Sequence, residues 1–220
     1  YLKHKGQNKG KPFHAGLDRA LRYLKQSSRK SYLEDFQKVD ATRFRDFLFE
    51  KGLKGPSVKR VFSTVRAIFN FCISEFDVTM SNPFSNVFID SQLGSLKRHP
   101  VPIKQVRRAQ TEVMHVNDQP RLLLGLISDT GMRLSEAAGL SRDDINLSDK
   151  AFVQVRPHPW RRLKTKSSER RIPLVGHSFW CAQQLMNHCD TIWLFPQYNK
   201  QPITSANSAS AVINKWLKKV

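Results

Sequence analysis

The sequence predicts a mainly helical chain with a small β-sheet, split into an N-terminal helical bundle and a mixed α+β domain. Three observations carry that expectation. Apolar residues recur at helical spacing between Leu17 and Phe76. Residues 91–105 then lose all periodicity and hold Gly94, Lys97, Arg98, Pro100 and Pro102, which reads as a basic linker. Beyond Asp143-Asp144, short β-branched and aromatic runs appear among renewed helical patterns.

The elements follow in order. Residues 1–12 are basic, contain glycine and show no periodicity, as expected of a flexible arm. The helical domain is placed at 13–90. It opens on Leu17, Leu21 and Leu24, is interrupted at Ser27-Ser28, and continues through a short helical stretch around Tyr32, Leu33 and Phe36. Asp40 is read as the N-cap of a helix carrying Phe44, Phe47 and Leu48 and stopping at Gly52. After the turn Lys54-Gly55-Pro56-Ser57 comes the clearest helix, reaching about Phe76. Its apolar face is Val58, Val61, Val65, Ile68, Phe69, Cys72 and Phe76, and its other side offers Lys59, Arg60 and Arg66. Ser81-Asn82-Pro83 ends the unit.

The second domain is placed at 106–220. Pro120 opens an apolar helix with Leu122, Leu123, Leu126 and Ile127, broken at Thr130-Gly131. A short helix runs from about Arg133 to Leu140. Phe152, Val153 and Val155 form one expected strand and 170–174 another, with the basic Trp160-Arg161-Arg162 between them. Helices resume at 178–188 and 206–219.

Composition narrows the function. The 220 residues carry 37 Lys and Arg against 18 Asp and Glu, a net charge of +19. Charge of one sign on that scale repels itself, and a polyanion relieves the repulsion, so nucleic acid is the expected partner. With 40% hydrophobic residues, including 14 Phe and 4 Trp, the chain can fill a core. No run approaches the ~20 apolar residues of a membrane span, and no apolar run follows Lys3, Lys5, Lys9 and Lys11 to make a signal peptide. A start at Tyr1 in place of Met is expected of a fragment or processed product. Cys72, Cys181 and Cys189 are an odd, scattered set that suits free thiols in a reducing compartment. His177, Cys181, His188 and Cys189 have no recognised zinc spacing, and no metal is expected.

Two segments carry chemistry. In Thr130-Gly131-Met132-Arg133-Leu134-Ser135-Glu136-Ala137-Ala138-Gly139-Leu140, a glycine turn puts Arg133 at a helix start, where a guanidinium can fork onto phosphate oxygens. Glu136, three residues on, shares its face and can orient it. Read alone, the segment is better taken as an ordinary surface arginine with an i,i+3 salt bridge. The second segment, Leu163-Lys164-Thr165-Lys166-Ser167-Ser168-Glu169-Arg170-Arg171-Ile172-Pro173-Leu174, reads as a β-hairpin with a basic, polar tip. Such a tip can reach a minor groove or a phosphate, or can simply be solvated.

Together the segments resemble the tyrosine recombinases, or phage integrases. Thr130, Gly131, Arg133, Glu136 and Leu140 match the family's Thr-Gly-x-Arg-x-x-Glu-x-x-x-Leu pattern. Residues 164–174 are similar to its hairpin lysine followed by Ser-x-Arg-x-Ile-Pro-Leu, and Asn82-Pro83-Phe84 resembles the close of its first, core-binding domain. The likeness covers about residues 12–220 and is nearest to prophage or genomic-island integrases of bacteria. It implies a core-binding bundle, then a linker and a catalytic domain, clamping double-stranded DNA, with copies able to assemble on it. It implies strand cleavage through a 3′-phosphotyrosyl link, with neither ATP, any other nucleotide nor a metal cofactor. Arg133 matches the phosphate-binding arginine, Lys164 the hairpin lysine that acts as acid, with Lys166 as rival, and Glu136 the supporting acid. Lys59, Arg60, Arg66, Lys97 and Arg98 are the expected DNA contacts, and the expected location is the bacterial cytoplasm.

The family's later His-x-x-Arg and nucleophilic tyrosine do not follow in order. His158-Pro159-Trp160-Arg161 precedes the hairpin and reads as chance, and Tyr198 sits too early beside Phe195-Pro196. The expectation is therefore a truncated catalytic domain that binds DNA without cutting it. Alternatives are a non-catalytic DNA-binding regulator or remnant of the same fold, and a basic RNA-binding protein.

Overall fold

The computed structural model describes residues 1–97, 99–188, 190–199 and 203–219, and of Lys166 the backbone alone. Arg98 and Cys189, both named above, lie outside the described residues. The chain divides into two compact units, Tyr1–Arg98 and His99–Val220.

The first unit is built on helices α1 (Lys11–Ser27), α2 (Lys38–Glu50) and α3 (Gly55–Glu75). Leu17, Ala20 and Leu24 of α1, Ala41, Phe44 and Leu48 of α2, and Val58, Val61, Phe62, Val65 and Phe69 of α3 are buried. These spacings of three, four and seven put each set on one helix face. The core is closed by Phe84, whose ring centroid lies 4.7 Å from Phe69, 5.9 Å from Phe62 and 6.0 Å from Phe44. Asn82 aims it: its Oδ1 accepts the Phe84 N–H at 2.9 Å, and its Nδ2 donates to the Arg66 carbonyl at 2.9 Å.

Several expectations change here. Helix α2 starts two residues before Asp40. Gln37 is its N-cap, and the Asp40 carboxylate accepts the Gln37 backbone N–H at 2.8 Å. Burial works against charge on Asp40, but hydrogen bonds from Lys30 and the Gln37 amide hold its carboxyl below the ordinary value. Phe76 is 71% exposed because α3 ends at Glu75, and the chain then leaves the helical path. The stretch read as an arm forms a π-helical turn at Leu2–Gly6, and the Tyr1 ring meets Phe71 edge-on at 5.4 Å.

Part of the stretch expected as a linker, residues 91–105, is held by other elements. The Leu93 carbonyl accepts the Gly55 N–H at 2.8 Å, and a Cβ on Gly55 would fall 2.1 Å from the Asp90 carbonyl oxygen. That close approach anchors the chain to α3 through Leu93. At the far end, helix α4 (Ile103–Val116) has already begun. It was not anticipated, because its buried side is Val106, Ala109, Gln110 and Val113, with a polar residue in the middle of a thin apolar stripe. Gln110 is satisfied by donating to Ser128 Oγ at 2.8 Å and Asp129 Oδ1 at 3.0 Å.

The second unit continues with α5 (Gln119–Thr130), α6 (Leu134–Ala138), α7 (Gly176–Asn187) and α8 (Ala206–Leu217). Its antiparallel three-stranded sheet, in the order β1-β2-β3, comprises β1 (Ile145–Asn146), β2 (Phe152–Val155) and β3 (Arg170–Pro173). Val153 pairs with Ile145 on one side and Ile172 on the other. The unexpected β1 is only two residues long, too short to show alternation. Helices α5 and α7 approach closely at Gly125, where a Cβ would fall 2.4 Å from Cys181 Sγ.

Candidate active site

Arg133 is placed by a turn. Helix α5 ends at Gly131, whose φ of 60° is a left-handed conformation that costs glycine little and bulky residues more. Two residues later Arg133 is the N-cap of α6. Its backbone N–H donates to Glu136 Oε2 at 3.1 Å, and its Nη1 donates to Glu136 Oε1 at 2.6 Å and to Ser168 Oγ at 3.2 Å. The Arg133 side chain is 52% exposed while that of Glu136 is 4% exposed, so the carboxylate is scaffold and the guanidinium faces outward. Among the described residues none takes a hydrogen bond from Arg133 Nε or Nη2. That edge is a free two-donor fork, the geometry that grips two oxygens of one phosphate.

Glu136 serves a second cation. Its Oε2 accepts Arg170 Nη2 at 3.0 Å, and Arg170 Nη1 donates to the Ser168 carbonyl at 2.7 Å. Burial disfavours the charged carboxylate, but the hydrogen bonds from Arg170 and Arg133 more than offset it and hold the pKa below the ordinary glutamate value.

A helix of five residues is not held by its own hydrogen bonds, and α6 is clamped from outside. Arg161 Nη1 donates to the Glu136 carbonyl, Asn199 Nδ2 to that of Ala138 at 2.7 Å, and Trp160 Nε1 to that of Gly139 at 3.0 Å. The Leu194 N–H donates to the Leu140 carbonyl at 3.0 Å. The carbonyls at the end of α6 are thus satisfied by three other chain segments. The literal His-x-x-Arg belongs to this clamp. His158 and Arg161 exchange backbone hydrogen bonds at 2.9 and 3.0 Å, and the Arg161 side chain is buried. His158 Nε2 lies 2.7 Å from Asp144 Oδ2, and its ring stacks on Trp160 with centroids 4.6 Å apart. Burial lowers the Arg161 pKa, against the pull of Asp144.

Lys164 is exposed on the connection from β2 to β3. The expected hairpin at 163–174 is corrected in form: its arms are β2 and β3, and residues 156–169 form a long excursion between them. That excursion folds on itself in a 3-10 turn, Lys166–Ser168, with Thr165 Oγ1 2.9 Å from Ser168 Oγ. Through Ser168 the lysine-bearing loop is tied to Arg133. The structure therefore brings the Arg133 turn and the Lys164 loop to one place, joined by Glu136, Ser168 and Arg170. Arg170 lay within the quoted motif, but nothing local to it pointed to Glu136, 34 residues earlier.

The other named residues stand apart from this cluster. Lys59, Arg60 and Arg66 are exposed on α3, and Lys97 is exposed near the end of the first unit. Tyr198 is 3% exposed, its hydroxyl is buried without a hydrogen-bond partner among the described residues, and burial raises its pKa. Cys181 is buried against α5, which pushes its thiol up to about 12.

Fold and site together define a helical protein with a small sheet that presents a half-exposed arginine from a clamped turn. Residues 104–220 match the model of the phage integrase family, more than half of the chain, and the chain belongs to that family. It is 28% identical over 140 residues to tyrosine recombinase XerC of Staphylococcus carnosus (strain TM300), covering 63% of this chain and 46% of the relative. Against tyrosine recombinase XerC of Staphylococcus aureus (strain N315) it is 23% identical over 184 residues, covering 83% and 55%. The chain thus spans about half the length of the curated relatives it matches. Among solved structures it is similar to the Tn1549 transposon integrase in complex with circular intermediate DNA, with TM-score 0.75, 19% identity and coverage of 100% of this chain and 76% of that one. It is similar also to a lambda integrase dimer bound to a COC′ core site, with TM-score 0.71, 14% identity and coverage of 96% and 72%. These likenesses show a shared fold.

Proposed function

We propose that this chain is part of a tyrosine-type site-specific DNA recombinase, which cuts and rejoins double-stranded DNA through a 3′-phosphotyrosyl intermediate. The observation that carries the proposal is the free fork of Arg133, held outward by a buried carboxylate and tied to a lysine-bearing loop. Arg133 grips the non-bridging oxygens of the scissile phosphate, which gain charge in the transition state. Lys164 gives a proton to the departing 5′-oxygen. Glu136 orients Arg133 and does not touch the DNA. The energy of the broken bond is kept in the phosphotyrosine, so the reaction draws on neither ATP nor a metal. No tyrosine described here is assigned as the nucleophile; Tyr198 is a core residue.

The excess of 37 basic over 18 acidic residues supports double-stranded DNA as the partner. Lys59, Arg60 and Arg66 of α3, with Lys97 and Arg98, supply contacts from the first unit, which acts as the core-binding domain. The segment that follows it, up to α4, is the linker, and copies assemble on DNA. The compartment is the bacterial cytoplasm, which suits a chain with an odd number of cysteines. Strand cleavage by the full-length protein tests the reading. Arg133→Ala should lower cleavage by about 100- to 1000-fold or more, the scale of other lost oxyanion donors, while duplex binding persists. Cleavage at the wild-type rate would remove the basis for an enzyme and leave a DNA-binding regulator.

A further inference from the structure

Glu136 is a single carboxylate serving two arginines, and the second has no assigned role. A buried carboxylate must have its oxygens satisfied, or it turns or takes up a proton. Arg133 engages Oε1 through its guanidinium and Oε2 only through its backbone N–H. The side-chain donor on Oε2, among the described residues, is Arg170 Nη2 at 3.0 Å. Arg170 fixes both bridges to the Arg133 turn. Its Nη1 holds the Ser168 carbonyl at 2.7 Å, and Ser168 Oγ in turn accepts Arg133 Nη1 at 3.2 Å. The Arg170 backbone is anchored in β3, opposite Val155. It is therefore a sheet residue reaching helix α6 and the Lys164 loop.

We propose that Arg170 is a positioning residue: it locks the Glu136 carboxylate that aims the Arg133 fork, and it sets the Lys164 loop in register with that fork. The proposal rests on the reading above, in which Arg133 and Lys164 act on one phosphate. Two groups on separate loops must meet one phosphorus within a fraction of an ångström, and a small misplacement is costly in rate. Arg170 supplies a rigid, planar link that sends one nitrogen to α6 and one to the Lys164 loop, which an ammonium cannot do at both points. It acts through Glu136 and Ser168 and does not itself contact the phosphate.

The test is single-turnover strand cleavage by the full-length protein at saturating duplex, with duplex affinity and thermal midpoint measured on the same samples. Arg170→Gln should slow cleavage by about 10- to 100-fold, the usual cost of removing a group that orients a site residue, with affinity unchanged. Arg170→Lys keeps the charge and should recover part of the rate. The discriminating step repeats Arg170→Gln in a Glu136→Gln chain. If Arg170 works through the carboxylate, the second change adds little; fully additive losses overturn the proposal. Should Arg170→Gln fail to fold, Arg170→Lys decides, because wild-type cleavage by that variant also overturns it. Arg133→Ala runs alongside. If Arg133→Ala is inactive while Arg170→Gln is normal, the positioning role alone fails. If Arg133→Ala is normal, the recombinase reading fails first.

Discussion

Arg133 and Lys164 are expected to fail differently, because one handles charge and the other a proton. An arginine fork binds oxygens that become more negative, whatever the leaving group is. A general acid is needed only while the leaving oxygen is a poor one. Lys164→Ala should therefore cleave ordinary DNA poorly, by about 100-fold or more, and be rescued on DNA with a bridging 5′-sulfur. Arg133→Ala should show no comparable rescue. If Lys164→Ala cleaves normally and Lys166→Ala needs the sulfur, the acid is Lys166. The Arg133–Glu136 pair was legible in the sequence because three residues apart on a helix means one face. Arg170 was not, because its partner comes from a distant segment brought over by the β2–β3 pairing.

At the scale of elements, α3 separates two kinds of residue cleanly. Val65 is fully buried, and Lys59, Arg60 and Arg66 are exposed. Removing the three charges should weaken duplex binding in a titration at fixed salt and leave the thermal midpoint in place. Val65→Asp should instead unfold the first unit, since a buried unpaired carboxylate has no compensation. Unchanged affinity in the triple charge variant would move the DNA face away from α3. The α5–α7 crossing offers a test of packing. Gly125→Ala places a methyl 2.4 Å from Cys181 Sγ and 3.1 Å from Val113 Cγ1, both in the core. Overpacking of that kind costs about 1–3 kcal/mol, read by denaturant unfolding, and Cys181→Ala in the same chain should restore part of it. No loss in Gly125→Ala would mean that the two helices separate at little cost. Helix α6 makes the complementary point: its five residues persist because Arg161 and Asn199 donate to its carbonyls, and Trp160 and Leu194 to those of Gly139 and Leu140 just beyond it, not because of its own propensity.

For the molecule as a whole, charge sets the prediction. Duplex binding should be driven by release of counterions, so for about six phosphate contacts the slope of log K against log salt should lie near −5. A flat response contradicts a DNA function for this surface. Without DNA, limited proteolysis should cut first between Leu96 and Pro102, where the chain has left the Leu93 anchor and not yet entered α4. Cuts within α3 at early times would argue against the first unit as a stable bundle.

The sequence by itself determined the mainly helical class with a small sheet, the apolar faces of α2, α3 and α5, and the Arg133–Glu136 pair. Each of these is written in periodicity or spacing of a few residues, which local geometry converts directly into a shared face. Tertiary structure decided what local pattern could not carry. Phe84 closes a core because Asn82 turns it inward, and Phe76 is left exposed where α3 stops. Helix α4 exists despite a glutamine on its buried side, because Ser128 and Asp129 of α5 satisfy it. His158 and Arg161 become part of a buried clamp, although their spacing imitates a catalytic motif. Arg170 gains its place only when β3 pairs with β2 and delivers it to Glu136. Gln110, His158, Arg161 and Arg170 each take their role from a partner that folding, and not chain proximity, brings within reach.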